Sequence, residues 1–468
     1  MYHLPLTLHS GGTPLYQQIY ESIALQIRSG QLETGTKLPG KRSLASQLAV
    51  SVNTVDTAYQ MLVAEGYLEA REKSGFFVLE VADTVSGHTE AAPVIAAEEP
   101  PEHYPFDLST GSVDTELFPF RTWGRIQKEL LYDAPELLSH GQRQGERALR
   151  LAISEYLATY RGVVCSPEQI VVGAGTEYLL GLIAHLIKGS TAAVENPGYR
   201  RISTILQNND IPCRYVSIDQ SGLSVEELRQ SGANICCVTP SHHFPTAVTM
   251  PVGRRSQLLR WATERSGRYI IEDDYDAEFR FDMRPLPSLQ GMGGQNGPVI
   301  YLSTFSKSLA PSIRIACMVL PPELLQRYRD TYGNYSNTVS RFEQQTLFRF
   351  MEGGYFVRHL ARMRNAYKAR MEQLAAALED AFGPGCIRLE GRHTGLHLLL
   401  TLKNGPGERE MVERARENGV MLRGLSTYFM ENAQRCPENT VILGYAALRD
   451  EQISALASLL AHIWLNQS

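Results

Sequence analysis

This chain lacks an excess of basic charge. Its 45 Lys and Arg are outnumbered by 50 Asp and Glu, and the formal net charge is −5. That balance excludes a uniformly basic nucleic-acid binder, so any affinity for DNA must come from local patches. Lysine is scarcer still, at eight residues, five of them beyond residue 104. No apolar run approaches the roughly 18 residues that a membrane span needs. The first residues, Met1-Tyr-His-Leu-Pro5, lack the basic-then-apolar order of a secretory signal. The seven cysteines (Cys165, Cys213, Cys236, Cys237, Cys317, Cys386 and Cys436) are odd in number, and no pair has zinc-ligand spacing. The vicinal pair Cys236-Cys237 lies in an apolar run and reads as buried strand. These absences point to a cytoplasmic protein without disulfides, metal or membrane contact.

What is present suggests several folded units, since 468 residues correspond to about two to four domains. Residues 1–80 form the first. Leu15, Ile19, Ile23 and Ile27 repeat at i, i+4, predicting an amphipathic helix that starts at Pro14. A short helix follows Leu38-Pro-Gly-Lys-Arg42, with Leu44, Ala45 and Leu48 inward. A third helix carries Val55, Ala58, Tyr59 and Leu62 on one face, with Ser51 as its N-cap. Tyr67–Arg71 and Phe76–Leu79 read as a hairpin across Glu72-Lys-Ser-Gly75. Three helices and a β-wing describe a winged helix-turn-helix.

Residues 81–104 change character, with Ala, Pro, Thr and Glu but no Lys or Arg. This reads as a flexible linker spanning roughly 25–30 Å, enough for the head to reach a neighbouring subunit. From residue 105 to 468, β-runs alternate with helical patterns: Gln169–Gly173, Thr191–Glu195, Ile235–Thr239, Tyr269–Glu272, Val299–Leu302 and Ile315–Leu320. Alternation of this kind predicts an α/β sandwich on a mostly parallel sheet. After Pro321 the pattern is helix-rich, and Gly395–Leu402 and Thr440–Leu443 mark a smaller α+β region.

Lys307 follows a strand inside a hydroxyl-rich loop, Tyr301-Leu-Ser-Thr-Phe-Ser-Lys307-Ser-Leu-Ala-Pro-Ser-Ile-Arg314. Upstream, Tyr269-Ile-Ile-Glu-Asp-Asp-Tyr275-Asp ends a strand in a cluster of acids. A lysine amine among hydroxyls, beside a strand-end carboxylate, suits a pyridoxal 5'-phosphate (PLP) site. Asp273 is placed to pair with the pyridine nitrogen, with Asp274 the alternative one residue along. Tyr275, two positions on, emerges on the same side and can bond the ring oxygen. The turn Gly173-Ala-Gly175-Thr176 opens a helix and offers backbone amides to a phosphate. Tyr199, in Asn196-Pro-Gly-Tyr199, can stack on the ring. Each alone reads more readily as an ordinary surface or loop residue.

Together, over residues 106–468 and in this order, they resemble the fold-type I, aspartate aminotransferase-like PLP enzymes. The resemblance implies that Lys307 forms the Schiff base. It makes Gly175, Thr176, Thr304, Ser306 and Arg314 the phosphate contacts, Asp273 the pyridine partner and Tyr275 the partner of the ring oxygen. The head is similar to the GntR-type winged helix in Leu38–Ala45, Val50–Val55 and Ser74–Val78. That similarity implies double-stranded promoter DNA as partner. Its contacts would be Lys41, Arg42, Asn53 and Thr54, with Lys73 and Gly75 at the wing. A GntR-type head joined to an aminotransferase-like body is the architecture of the MocR subfamily of bacterial regulators, whose members form head-to-tail homodimers.

Departures qualify the chemistry. Where that pattern has a ring-oxygen asparagine, a partner-reaching tyrosine and a carboxylate-binding arginine, this chain has Phe244, His140 and Ile442. An effector carboxylate would need another arginine, with Arg201 and Arg423 the candidates. In the head, Val52 and Asp56 stand where arginine and a basic residue are usual, and residues 1–80 hold six Lys/Arg against seven Asp/Glu. The expectation is a PLP-dependent transcription factor whose DNA binding responds to an amine or amino-acid effector displacing Lys307, or to PLP itself. The alternatives are an active aminotransferase with an appended head and a regulator with a vestigial PLP site.

Overall fold

A computed structural model describes residues 6, 8–9, 12–80, 104–281, 286–432 and 436–465. The segment expected to be a linker, 81–104, lies outside the described residues except for Tyr104. The chain divides into two compact units, Met1–Pro101 and Glu102–Ser468.

In the first unit, α1 (Leu15–Arg28), α2 (Lys41–Leu48) and α3 (Val52–Ala64) are followed by the antiparallel hairpin β1 (Leu68–Arg71) and β2 (Gly75–Val78). Ile19, Ile23, Leu44, Val55, Ala58, Tyr59 and Leu62 form its core. Leu15 keeps the helical spacing but is exposed. Ser51 caps α3 as expected, its Oγ accepting from the Thr54 amide at 3.1 Å.

The second unit is built on an eight-stranded sheet. Its strands are β4 (Ile170–Gly173), β5 (Ala192–Asn196), β6 (Cys213–Asp219), β7 (Gly222–Leu223), β8 (Ile235–Val238), β9 (Tyr269–Asp274), β10 (Val299–Thr304) and β11 (Ala316–Val319). The spatial order is β4-β11-β10-β9-β8-β5-β6-β7. Strands 10, 9, 8, 5 and 6 run parallel, while β11 runs antiparallel to both its neighbours. The central strands are buried along their whole length, so they read as continuous apolar runs.

Helices cover both faces. One is packed by α6 (Thr176–Leu186), α7 (Arg200–Asn208) and α11 (Pro322–Tyr332). The other is packed by α4 (Phe120–Asp133), α5 (Arg147–Arg161), α8 (Val225–Gln230), α9 (Val252–Thr263), α10 (Leu289–Gly293) and α12 (Arg341–Glu352). The long α13 (Tyr355–Phe382) leads into a smaller layer with α14 (Glu408–Glu417) and α15 (Ile453–Leu465). There β12 (Ile387–Glu390), β13 (His397–Leu402), β16 (Thr440–Gly444) and β15 (Arg423–Gly424) form an antiparallel sheet. The short β3 (Phe106–Asp107) pairs in parallel with β14 (Val420–Met421). Cys236 and Cys237 are buried in β8, as their apolar setting predicts. Among the described residues no helix is long and apolar enough to cross a membrane.

All parallel strands end at one rim of the sheet. Because β11 is reversed, its start meets the same rim, so Lys307 and Arg314 lie on the single turn between β10 and β11.

Candidate functional site

At the sheet rim, loops enclose a cavity of about 240 Å³. Its lining includes Thr176, Tyr199, Arg201, Asp273, Tyr275, Thr304, Ser306, Lys307 and Arg314, so of the residues expected to hold the cofactor or an effector all but Gly175 and Arg423 line it. The Lys307 Nζ donates to the carbonyls of Thr110 (2.6 Å) and Gly111 (2.9 Å). Burial lowers its pKa to about 8, opposed by the negative charge of Asp276. A lysine so shifted has a larger neutral, nucleophilic fraction near pH 7 than an ordinary one.

Asp273 closes β9. Burial pushes its pKa up to about 7, with Asp274 and Asp276 adding repulsion, and its Oδ1 has no hydrogen-bond partner. Asp274, the alternative, points into the protein instead. There it accepts from the Arg161 Nε and the Tyr301 hydroxyl, both at 2.6 Å, and its burial cost is outweighed by that charge and those bonds. Tyr275 reaches the cavity with its hydroxyl 3.1 Å from the His242 Nδ1, which also meets Asp276 Oδ2 at 2.7 Å.

The end of the cavity beside Gly175 is shaped by close approach. Gly175 (φ +94°) precedes α6, and a Cβ there would sit 2.4 Å from the Arg314 Nη2. Arg314, itself at φ +53°, donates to the Ala174 carbonyl at 3.3 Å. Thr304 Oγ1 meets the Ser306 hydroxyl at 2.9 Å and accepts from its amide at 3.2 Å. Hydroxyls, a helix N-terminus and a guanidinium together make an anion cradle.

Phe244 forms an apolar wall, edge-on to Tyr199 (5.9 Å between ring centres) and Tyr428 (4.8 Å). Ile442 is buried in β16, and His140 is exposed. Of the two arginines expected near an effector, Arg201 lines the cavity. Arg423 does not: it is exposed on β15. Sequence reasoning missed Glu177, Thr110, Gly111, Asp276 and His397, which also line it. Glu177 follows Thr176 directly and was open to discovery. Thr110 and Gly111 lie almost 200 residues from Lys307 and were not. His242 packs so closely on Gly395 that a Cβ there would fall 1.8 Å from its ring.

In the head, Arg42, Asn53 and Lys73 are exposed, while Thr54 is half-buried with its hydroxyl 2.8 Å from Ser51 Oγ. Lys73 and Gly75 take positive φ at the wing turn. Lys41 is not a free cation, because it is ion-paired with Asp56. A missed residue, Lys37, bridges to Phe77 of the wing and lies over its ring.

Comparison with known proteins finds a family for each unit. Residues 15–78 match the model for bacterial regulatory proteins of the gntR family, and 105–460 match aminotransferase class I and II. The probable rhizopine catabolism regulatory protein MocR of Rhizobium meliloti is 33% identical, covering 93% of this chain and 90% of its own length. The chain belongs to the MocR subfamily of GntR-type transcriptional regulators. An uncharacterized HTH-type transcriptional regulator of Bacillus subtilis, YdeL, is 36% identical, with coverage of 96% and 97%. Among solved structures, a kynurenine aminotransferase of Pyrococcus horikoshii superposes with a TM-score of 0.67 at 26% identity, covering 76% of this chain and 90% of its own.

The MocR-type chain is thus a regulator with a DNA-binding head and an aminotransferase-like body, whose family cofactor is PLP. Its cavity fits that cofactor on three counts: a buried, unpartnered Asp273 oxygen, a glycine that lets Arg314 lie on the backbone, and a lysine with a lowered pKa.

Proposed function

We propose that the chain regulates transcription through what its cavity holds at Lys307, and is not an aminotransferase that happens to carry a head. When bound, PLP supplies a carbonyl that condenses with amines and a ring that withdraws electrons. Lys307 provides the amine that holds it covalently. Asp273 keeps a proton at the ring nitrogen, Tyr275 bonds the ring oxygen, and Tyr199 stacks on the ring. Gly175, Thr176, Thr304, Ser306 and Arg314 hold the phosphate. An effector amine or amino acid exchanges for Lys307, or PLP arrival is itself the signal. Either event biases the placement of two heads in a cytoplasmic head-to-tail homodimer on paired half-sites. Arg42, Lys41, Asn53 and Thr54 contact the major groove, and Lys73 and Gly75 serve the wing.

The observation that carries this reading is Phe244. An apolar ring lines the cavity where an aminotransferase places an asparagine, beside Lys307, Asp273, Tyr275 and Arg314. Buried Ile442 likewise removes the usual carboxylate arginine. That combination favours capture of an amine over its turnover.

Purified protein should be yellow, and borohydride should fix the cofactor on the peptide containing Lys307. A protein that stays colourless with added PLP defeats the proposal. Repeated turnover with common amino donors would instead establish the aminotransferase reading. Arg42→Ala should abolish specific promoter binding while PLP absorbance persists.

A further inference from the structure

The cavity's charges define which amines it can take, an inference that rests on the reading of the cavity as a cofactor and effector site. Three acids, Glu177, Asp273 and Asp276, face three bases, Arg201, Lys307 and Arg314. A bound phosphate adds about 1.5–2 negative charges, so the loaded cavity is net negative. Arg314 is committed to the phosphate end by its contacts with Gly175 and Ala174. Among the described lining residues, Arg201 is then the arginine left for an effector.

Arg201 is already engaged. Its Nη1 donates to Glu177 Oε1, and its guanidinium lies 5.9 Å from the centre of the Tyr199 ring. Glu177 sits in the first turn of α6, where the helix dipole favours its negative charge, and its second oxygen is 3.9 Å from Arg314. An incoming carboxylate must therefore take Arg201 from Glu177 while approaching that same carboxylate. An amine whose far end is a hydroxyl, an apolar group or a second cation meets neither obstacle, and Phe244 and Tyr199 give it an apolar wall.

We propose that Glu177 is a specificity-determining residue that competes with carboxylates for Arg201, so that the cavity favours effector amines lacking a carboxylate. The pair is half-exposed, so the bias expected from it is modest, about fivefold.

The test titrates PLP-loaded full-length protein spectroscopically with matched ligands in which a methyl replaces the carboxylate: β-alanine against propylamine, and L-alanine against isopropylamine. Condensation with free PLP is subtracted. Wild type should bind each amine at least as tightly as its amino acid. Glu177→Gln should shift the ratio about fivefold toward the amino acid, and adding Arg201→Gln should cancel the shift. Glu177→Gln should also tighten PLP uptake by cofactor-free protein, since a carboxylate beside the phosphate is removed. A wild-type preference of tenfold or more for the amino acids overturns the proposal, as does an unchanged ratio in folded Glu177→Gln. A protein that takes up no PLP defeats the cavity reading as well, whereas uptake with an unmoved ratio defeats this inference alone.

Discussion

Lys41, the first residue of α2, is ion-paired with Asp56 on α3, and its ammonium lies 5.1 Å from the centre of the Phe76 ring. The hydrogen bond from Lys41 leads the causes that hold the Asp56 carboxyl below its usual range. A cation expected to face DNA is thus shared with an acid of the same head. Exposed pairs of this kind are weak enough for a phosphate to compete.

Asp56→Asn should therefore raise non-specific DNA affinity. It should also steepen the slope of log K against log salt by about 0.9, the increment for one more phosphate contact. Fluorescence anisotropy across a salt series measures both. An unchanged slope would mean that Lys41 makes its full contribution already.

The cap on α3 predicts a local effect. Ser51→Ala removes the acceptor of the Thr54 amide and should cost the head about 1 kcal/mol. Hydrogen exchange of the α3 amides should show it, with strands of the body unaffected. Loss of protection in β9 or β10 would show that the cap acts beyond the head.

Gly175→Ala should unseat Arg314. The added methyl would stand 2.4 Å from the guanidinium, at a φ that L side chains rarely adopt. PLP affinity should fall about tenfold or more, the equivalent of roughly 1.4 kcal/mol, while the protein remains folded. An unaltered PLP titration would remove Arg314 from the phosphate site.

Asp273 makes stability depend on pH. In the folded, cofactor-free chain its carboxyl keeps its proton up to about pH 7, mainly because burial disfavours the charge. In the unfolded chain it ionises near pH 4. A raised folded pKa gives stability that is full below the unfolded value and is lost as pH rises through the folded one. Asp273→Asn cannot ionise, so cofactor-free variant should exceed wild type in stability at pH 8, by an amount on the order of a few kcal/mol. The advantage should shrink at pH 5, and PLP should bind the variant more weakly. Equal denaturation midpoints at pH 8 would show that the carboxyl is better solvated than its burial implies.

Much of this was legible in the sequence. Helical spacing located α1 and α3, and buried strands such as β8 and β10 announced themselves as apolar runs. Lys307 stood out because lysine is rare and its loop is rich in hydroxyls. Pairings between distant side chains were not legible. Glu177 meets Arg201 across 24 positions, and Arg161 meets Asp274 across 113, through contacts that depend on the finished packing. Arg423 illustrates the converse: its residue type suits an effector carboxylate, but its strand presents it to solvent. Neither periodicity nor spacing carries that direction.

The reversed strand β11 has one more consequence. Lys307 and Arg314 belong to one hairpin, whose ladder from Tyr301–Val319 to Thr304–Ala316 is prolonged by the Phe305 amide bonding the Ile315 carbonyl at 3.0 Å. The two ends of a rigid ligand are therefore measured against a single covalent gauge. Loops elsewhere on the rim do not enter that spacing.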